Sequence, residues 1–398
     1  MEMLFQYSAS QINAVNLGFK RYLLDKINWN NRLIAITGAR GTGKTTLLLQ
    51  YISEHLYDHP DEVLYASMDD LYFAGHSLVD LAADFVKRGG KYLFLDEIHK
   101  YLNWSREIKN VYDYFPKLRI VITGSSALNI YKGSADLSRR AVLYHLHGLS
   151  FREFLLLKYN VIIPVSSLDE MLKNPLTQAK RVLDQISPIK FFEEYLQTGY
   201  YPFFMEDGGS FHSRLRQTVN HILDVDLPSV EMIDFNAVHH LRKLLSVISE
   251  LVPFRPNIVK LSRQVGVGRE TLLKYLYLLS RADMLLLLQT GKSGISKMNK
   301  PDKIFLNNPN LMFALSGTAV NAGSLRETFI YNQLNESYMV TYADRGDFMV
   351  SRKYVFEVGG KNKTHKQIAG VKNAFVVADN IEYPYQNVIP LWLFGFLY

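Results

Sequence analysis

A glycine-rich segment at residues 38–45 constrains this chain more than any other feature. It follows the apolar run 32–37 and precedes 45–55, where apolar residues recur with helical spacing. The segment matches the pattern G-x-x-x-x-G-K-[ST] at every fixed position. Glycines permit a tight turn whose backbone N–H groups point at an anion, and the positive end of the following helix faces the same anion. The segment therefore predicts a strand, a phosphate-binding loop and a helix.

Two residues of this loop have separate expected tasks. Lys44 is expected to reach the β- and γ-phosphates of a nucleotide, and Thr45 to ligate Mg²⁺ through its hydroxyl. The predicted cofactor-binding residues are Gly38, Ala39, Arg40, Gly41, Thr42, Gly43, Lys44, Thr45 and Thr46.

Two carboxylates follow a second apolar run. Residues 92–95 read Tyr-Leu-Phe-Leu, and Asp96 and Glu97 come directly after them. Ligands of open α/β sheets bind at the carboxyl ends of the strands. We therefore predict that Asp96 holds Mg²⁺ and that Glu97 is the catalytic residue that polarises the attacking water, supported by Lys44. The alternative is an acidic turn after a buried strand.

Strand and helix patterns alternate through the first part of the chain, which predicts a parallel sheet covered by helices on both faces. A helical lead-in is predicted at 11–27, and the pattern changes after about residue 158. The chain then looks mainly helical to about 230, and β-rich runs return after about 300. The further strand candidates are 63–67, 119–123 and 141–146, with helical patterns at 77–88, 104–115 and 151–158.

Polar and basic side chains near the next strand are further catalytic candidates. Ser125, in the segment 123–126, can orient the attacking water or sense the γ-phosphate. Arg139 and Arg140 can stabilise charge on the transferring phosphoryl group, in their own or a neighbouring subunit. Simple turn residues and solvated surface arginines are alternatives of similar weight.

These segments resemble the bacterial and archaeal AAA-type ATPases that carry an uncharacterised C-terminal domain. The resemblance rests on GARGTGKTTLLLQ, YLFLDEIHK, ITGSSAL and DLSRRAVLYHLHGLSFREFL. It continues through TGYYPFF at 198–204, FEVGGKNKT at 356–364 and the closing PLWLFGFLY. It implies ATP as the nucleotide, a sensor role at 123–126, an arginine-finger-like role at Arg139 or Arg140, and a place near the adenine for 199–202.

The family also implies a domain order. An α/β P-loop NTPase core of the AAA+ type, with a parallel sheet, is followed by a helical lid, a winged helix and a C-terminal α/β domain like PD-(D/E)XK nucleases. We accordingly place the ATPase core at 1–158, the lid at 159–235, the winged-helix module at 236–298 and the nuclease-like domain at 299–398.

A helix, a glycine-bearing turn and a second helix at 258–279 have the spacing of a helix-turn-helix. The second helix carries basic residues suited to phosphate contacts, and Arg269, Lys274 and Arg281 are the candidate nucleic-acid contacts. A winged helix used for protein packing is the alternative, so the expected partner is double-stranded DNA or another protein.

Four residues near the C-terminus have the order of a PD-(D/E)XK nuclease site: Glu327, Asp347, Glu357 and Lys361. Such sites need carboxylates to hold Mg²⁺ and a lysine to stabilise charge or activate water. The usual pattern places the lysine two residues after the acid, whereas two glycines intervene here between Val358 and Lys361. The glycines either form a bulge that returns Lys361 to the site or mark a decayed site kept as a binding fold.

Composition limits the class of protein. The chain has no cysteine, which excludes disulfides and thiolate zinc sites, and its formal charge of +7 permits contact with nucleic acid without requiring it. Its N-terminus lacks the apolar core of a signal peptide, and its apolar runs are far shorter than the ~20 residues that span a bilayer. We expect a cytoplasmic protein with no membrane partner.

The favoured prediction is a Mg²⁺-dependent ATPase that couples its nucleotide state to DNA or to a protein partner. A nucleotide-dependent signalling switch with incidental hydrolysis is one alternative, and an ATP-regulated nuclease is another. No guanine-reading N-K-x-D motif stands in the expected place. The oligomeric state, including a homo-oligomer with an arginine acting in trans, stays open.

Overall fold

The computed structural model describes the chain except residues 125–136, 138, 207, 229–232, 291–299 and 317–319. It divides into two compact units, Met1–Gly148 and Leu149–Tyr398. The helix after Gly148 belongs to the second unit. The predicted domain boundaries stay predictions.

The first unit is built on a five-stranded sheet in the order β2-β3-β4-β1-β5, and every pair in it is parallel. Its central strands are buried along nearly their whole length, as expected of a sheet covered on both faces. The strands are β1 Leu33–Thr37, β2 Val63–Ser67, β3 Tyr92–Asp96, β4 Arg119–Gly124 and β5 Val142–His145.

Helices of the described residues pack around this sheet. Ser77 caps one of them by accepting a hydrogen bond from the backbone N–H of Asp80, and the buried leucines and Phe85 of that helix face the sheet core. The helices are α1 Glu2–Ala14, α2 Leu23–Lys26, α3 Lys44–His55, α4 Leu78–Lys87 and α5 Trp104–Tyr114.

The parallel register brings the carboxyl ends of the strands to the same end of the sheet. Thr37 pairs with Gly124, and Ser67 pairs with Asp96. Residues that follow these strands therefore meet at one edge of the sheet.

The N-terminal segment differs from the predicted single helix at 11–27. Helix α1 ends at Ala14, and Val15 is extended with φ −70° and ψ 135°. The Gln50 side chain then holds the following segment by donating to the carbonyls of Asn16 and Phe19, at 2.7 Å each. The apolar spacing at 11–27 thus reflects two short helices joined by an extended strap.

The first part of the second unit is helical. Ser150 and Glu153 form a capping box at the start of its first helix, which gives that helix a defined beginning. The helices are α6 Phe151–Tyr159, α7 Leu168–Lys173, α8 Pro175–Leu183, α9 Pro188–Thr198 and α10 Phe211–His221, the last continued by a π-helical turn at Ile222–Asp226.

A three-helix group with a hairpin follows. Gly266 ends the second helix of the group in the left-handed conformation with φ 89°, which turns the chain into the third helix. Phe254 and Ile304 form an antiparallel bridge beside the hairpin. The elements are α11 Phe235–Leu251, α12 Ile258–Val265, α13 Arg269–Arg281, β6 Leu285–Leu288 and β7 Lys303–Leu306.

The last part of the second unit contains a mixed sheet in the order β12-β11-β10-β9-β8. The closing segment Leu391–Phe396 is buried, and Phe396 packs on Phe151 with ring centroids 5.5 Å apart. The elements are α14 Pro309–Ser316, α15 Ala322–Asn335, β8 Val340–Tyr342, β9 Phe348–Val350, β10 Tyr354–Gly359, β11 Ala374–Ala378 and β12 Val388–Pro390.

Across the described ranges, no helix is both long enough and apolar enough to cross a membrane.

Candidate functional site

The glycine-rich loop joins β1 to α3, as its sequence predicts. Gly41 and Gly43 have φ values of 85° and 91°, which side chains other than glycine rarely adopt. A Cβ on Gly38 would lie 2.3 Å from the Leu146 carbonyl oxygen. The loop therefore needs glycine at these positions. Its first residue, Gly38, lies against Leu146, which directly follows β5.

Lys44 is buried at the start of α3. Its Nζ donates to the carbonyl oxygens of Gly38 and Ala39, at 2.9 Å each. The Thr42 hydroxyl also donates to Ala39, over 2.9 Å. Of the remaining predicted loop residues, Arg40 is half-buried and Thr46 is exposed.

Asp96 is the centre of a hydroxyl cluster. Its Oδ2 accepts hydrogen bonds from the Thr45 hydroxyl at 2.6 Å and from the Tyr65 hydroxyl at 3.0 Å. The Thr123 hydroxyl donates to its Oδ1. Three hydroxyl donors on one buried carboxylate fix its orientation. The predicted pair Thr45 and Asp96 is brought together, and Tyr65 is an additional member that the sequence did not reveal.

Thr123 also orients the second carboxylate, because its Oγ1 accepts the backbone N–H of Glu97 over 3.1 Å. It is the member of the predicted polar segment 123–126 that contacts both acidic residues. The predicted catalytic Ser125 lies outside the described residues, as does Ser126.

Glu97 follows β3 in the left-handed conformation, with φ 54°. This is an uncommon state for a residue with a side chain, and such residues cluster at functional sites. Its Oε2 is buried and accepts no hydrogen bond from the described residues. The His99 ring lies close, with Nε2 3.5 Å from that oxygen. Glu97 therefore retains an acceptor for water, and His99 lies beside it as a neighbour that the sequence did not reveal.

A buried arginine ties the loop to the end of the sheet. Arg21 donates to the carbonyls of Thr42, His147 and Gly148, the last two at 2.7 and 2.9 Å. Burial, with the nearby His145 and Arg21, lowers the pKa of His147 well below its usual range, so this ring is neutral. No local pattern indicated Arg21, since His147 and Gly148 lie far along the chain from it.

The donor set suits Mg·ATP. Mg²⁺ is commonly held by one or two protein oxygens together with phosphate oxygens and water rather than by an all-protein cage. Thr45 and Asp96 provide such oxygens beside the loop. The chemistry fits a cation that arrives with its nucleotide.

Arg140 lies at the opposite end of the sheet, where the strands begin. Its guanidinium makes two 3.0 Å hydrogen bonds to Asp113 and, like that of Arg32, lies over the Tyr112 ring. Arg32 and Arg140 precede β1 and β5, whereas the loop follows β1. The exposed Arg139 precedes the same strand. An arginine role within the same subunit does not fit this placement.

Residues 30–155 match the AAA domain family model. The match covers the strands, the loop and both carboxylates of this site. The first unit therefore carries an AAA-type P-loop core. Residues 189–322 match a second model, the Domain of unknown function (DUF8612), which assigns no activity.

Two relatives resemble most of the chain. Uncharacterized protein MJ1637 of Methanocaldococcus jannaschii is 29% identical over 86% of this chain and 78% of its own length. Uncharacterized protein MJ1544 of the same organism is 24% identical over 85% of this chain and 74% of its own length. Neither name states an activity.

Solved structures also align with the chain at low identity. The Walker-type ATPase paby2304 of Pyrococcus abyssi has a TM-score of 0.41 and 13% identity, over 74% of this chain and 93% of its own. AMPPCP-bound DnaA from Aquifex aeolicus has a TM-score of 0.25 and 14% identity, over 65% of this chain and 84% of its own.

Outside the AAA domain, the predicted nucleic-acid contacts lie on α13. Arg269 opens this helix and is exposed, and Lys274 is exposed one turn later. Arg281 is half-buried at its end, with the guanidinium 5.4 Å from the Tyr277 ring centroid. The three side chains thus follow one helix, and its apolar residues Leu272, Leu276 and Leu279 are buried.

The segment 199–202 packs inside the second unit. Tyr200 and Tyr201 are buried, and the Tyr200 backbone N–H donates to Asn310 over 2.8 Å. A Cβ on Gly199 would meet the Tyr195 ring at 2.5 Å. These contacts give the motif a packing role.

The C-terminal carboxylates form a cluster with a different lysine from the predicted one. Lys363 makes the ion pair with Glu357, whereas Lys361 is exposed. Gln367, with its amide nitrogen turned towards Glu357, donates to Oε2 over 2.8 Å. Tight packing of Lys363 against Gly359 brings its side chain back to the strand. The two glycines therefore return a lysine to the acid, but it is the one two residues later.

Electrostatics couple the carboxylates of this cluster. Burial raises the pKa of Glu327, as does the Asp347 charge, while Lys303 opposes the rise through an ion pair. Burial also raises the pKa of Glu357, and its hydrogen bond from Lys363 offsets part of that rise. The sequence did not indicate Lys303, which comes from β7. Glu327 and Glu357 thus each pair with a lysine and are each influenced by the Asp347 charge, although no three His, Asp or Glu side chains of the described residues are arranged to hold a metal.

Proposed function

We propose that the protein binds Mg·ATP at the loop of its AAA domain and hydrolyses it. The observation that carries this proposal is the 2.6 Å hydrogen bond from Thr45 to Asp96 beside a loop whose glycines have positive φ. A hydroxyl that donates its proton to a carboxylate keeps its oxygen lone pairs for a metal ion. The loop amides face the phosphates of the same ligand.

Each residue then has one task. The Lys44 ammonium leaves the carbonyls of Gly38 and Ala39 for the β- and γ-phosphates, and it neutralises charge there. Thr45 and Asp96 hold the cation, which when bound offsets the developing negative charge. Glu97 accepts a proton from water through its free oxygen and orients that water for in-line attack.

Arg139 and Arg140 act, in this proposal, on a neighbouring copy of the chain. Their position before β5 separates them from their own loop. A guanidinium from another subunit can stabilise transition-state charge in the same way as one in cis. Homo-oligomers whose ATPase rate rises with protein concentration are the expected consequence.

We further propose that the second unit uses α13 to bind duplex DNA. The helix order, the turn at Gly266 and the following hairpin resemble those of a winged helix, and the exposed Arg269 and Lys274 on α13 support this proposal. Affinity for DNA should fall steeply with salt. The Arg269→Ala/Lys274→Ala variant should lose about tenfold in affinity. The matched control Lys173→Ala/Lys180→Ala removes the same charge from exposed positions elsewhere and should bind DNA normally.

Steady-state ATP hydrolysis with and without duplex DNA tests the coupling. Stimulation by DNA that disappears in Arg269→Ala/Lys274→Ala, but not in its control, supports a DNA-coupled ATPase. A slow rate that DNA leaves unchanged contradicts the coupling. That result favours a nucleotide-dependent switch acting on a protein partner.

An ATP-regulated nuclease is a second candidate function, favoured by the shared influence of Asp347 on Glu327 and Glu357. A divalent cation would relieve the repulsion that the Asp347 charge exerts on Glu327 and Glu357. Plasmid nicking in Mg²⁺ or Mn²⁺ tests it, with Asp347→Ala as the inactive variant and the exposed Asp344→Ala as the matched control. Absence of metal-dependent nicking by the wild type removes this function.

A further inference from the structure

We propose that Tyr65 is a positioning residue for Mg²⁺ at the nucleotide site, and that helix α1 holds Tyr65 in place. This inference rests on the proposed function and adds a regulatory route to it. Tyr65 lies on β2, an edge strand, next to the strand that ends at Asp96.

The phenol is aimed at the metal side of the site. The Tyr65 residue is 2% exposed, and its hydroxyl reaches across to Asp96 Oδ2 over 3.0 Å. The same oxygen accepts the Thr45 hydroxyl over 2.6 Å. The two donors therefore share one carboxylate oxygen, so Tyr65 helps to hold the oxygen to which Thr45 donates.

The hydroxyl donates to Asp96 and keeps oxygen lone pairs that can accept a hydrogen bond from a cation-bound water. Removal of the hydroxyl leaves Asp96 with a missing donor in a buried setting, while the ring still fills its space.

Two residues of helix α1 contact this tyrosine. The Ser8 hydroxyl accepts the Tyr65 backbone N–H over 3.0 Å. The Tyr7 ring stacks beside the Tyr65 ring, with centroids 6.4 Å apart and an interplanar angle of 28°. These contacts cover an edge strand whose N–H would otherwise face solvent, and they link α1 to Asp96 through a single side chain.

The segment that follows α1 contacts the phosphate-binding side of the site. Gln50 and Arg21 tie the strap after α1 to α3 and to the loop. Movement of α1 would therefore reach Asp96 through Tyr65 and the loop through the strap. A ligand or partner that displaces α1 is expected to change Mg²⁺ affinity first.

The test measures binding of a fluorescent ADP analogue to the full chain in EDTA and across a Mg²⁺ titration, which needs no hydrolysis. Tyr65→Phe should bind the analogue in EDTA within about threefold of wild type. Its half-maximal Mg²⁺ concentration should rise about tenfold, the size expected for one hydrogen bond to a charged group. Tyr92→Phe is the matched control, because Tyr92 begins the strand that ends at Asp96, and it should leave both values unchanged.

Two further variants separate positioning from general damage. In an Asp96→Asn background, Tyr65→Phe should have no additional effect on the Mg²⁺ midpoint, since the two residues act as a unit. Ser8→Ala should raise that midpoint in the same direction by a smaller factor. Additive effects in the double variant, or equal losses in EDTA and Mg²⁺, overturn the role of Tyr65, and an unchanged Ser8→Ala midpoint overturns the role of α1.

The wild type distinguishes this inference from the proposed function. If the wild type binds the analogue equally with and without Mg²⁺, the metal site and the inference both fail. If Mg²⁺ strengthens its binding and Tyr65→Phe responds identically, the inference alone is overturned.

Discussion

The hydroxyl of Thr45 lies 2.6 Å from Asp96 Oδ2, although the two residues are 51 positions apart in the chain. The parallel order of β1, β4 and β3 brings them to the same sheet edge, one after a strand and one at the end of another. This contact holds the two proposed cation ligands beside one another within the folded chain.

Thr45→Ala should lower Mg²⁺-dependent ATP hydrolysis by about 100-fold, because it removes both the metal-facing oxygen and the donor to Asp96. Thr45→Ser keeps that hydroxyl and should stay within about threefold of wild type. A coupled assay of phosphate release at saturating Mg²⁺ measures both. Equal activity of the alanine and serine variants would contradict the assignment.

Arg21→Met should destabilise the protein by about 3 kcal/mol, since it leaves three backbone carbonyls without this donor. Lys20→Met is the neighbouring control. Lys20 makes only a partly exposed ion pair with Glu54, and its loss should cost less than about 1 kcal/mol. Urea unfolding followed by circular dichroism measures the two. Similar losses for both variants would show that Arg21 does not tie the loop to the sheet.

The stability contributed by Glu327 should depend on pH. Its pKa is raised above the usual 4.5, so the folded state binds this proton more tightly than the unfolded state does. Wild type should therefore gain stability relative to Glu327→Gln as the pH falls from neutral towards 4.5, by a difference in melting temperature on the order of 2 °C. Melting curves at several pH values measure the difference. A difference in melting temperature that is constant with pH contradicts the raised pKa of Glu327. So does a difference that becomes less favourable to the wild type as the pH falls.

Local spacing explains which parts of the site the sequence predicted. The loop, Lys44, Asp96 and Glu97 sit within single strand–turn units, so residue order alone fixes their neighbours. The parallel αβα core followed from the alternation of strand and helix patterns, and the AAA domain match covers it.

The contacts that the sequence did not reveal depend on which strands are neighbours. Tyr65 reaches Asp96 because β2 lies beside β3, and no local pattern states that order. Arg21 meets His147 across 126 positions. The sequence pattern indicates which residues are buried and whether they repeat with helix or strand spacing. These hydrogen bonds depend instead on how the strands are ordered in the folded sheet.

The lysine that pairs with Glu357 shows another limit of prediction from sequence. Spacing pointed to Lys361, but the turn after β10 exposes that side chain and brings Lys363 to Glu357. Two glycines in a turn leave its path undetermined by sequence alone. Lys303 also reaches this cluster, from a strand outside the motif.

The most direct test of the account compares ATP binding and single-turnover hydrolysis in wild type and Glu97→Gln. The substitution keeps the size of the side chain but removes the basic oxygen. We expect the variant to bind Mg·ATP within about threefold of wild type and to hydrolyse it about 100- to 10,000-fold more slowly. Turnover by Glu97→Gln at the wild-type rate would contradict the role of Glu97, and a wild type that does not bind ATP would contradict the central claim itself.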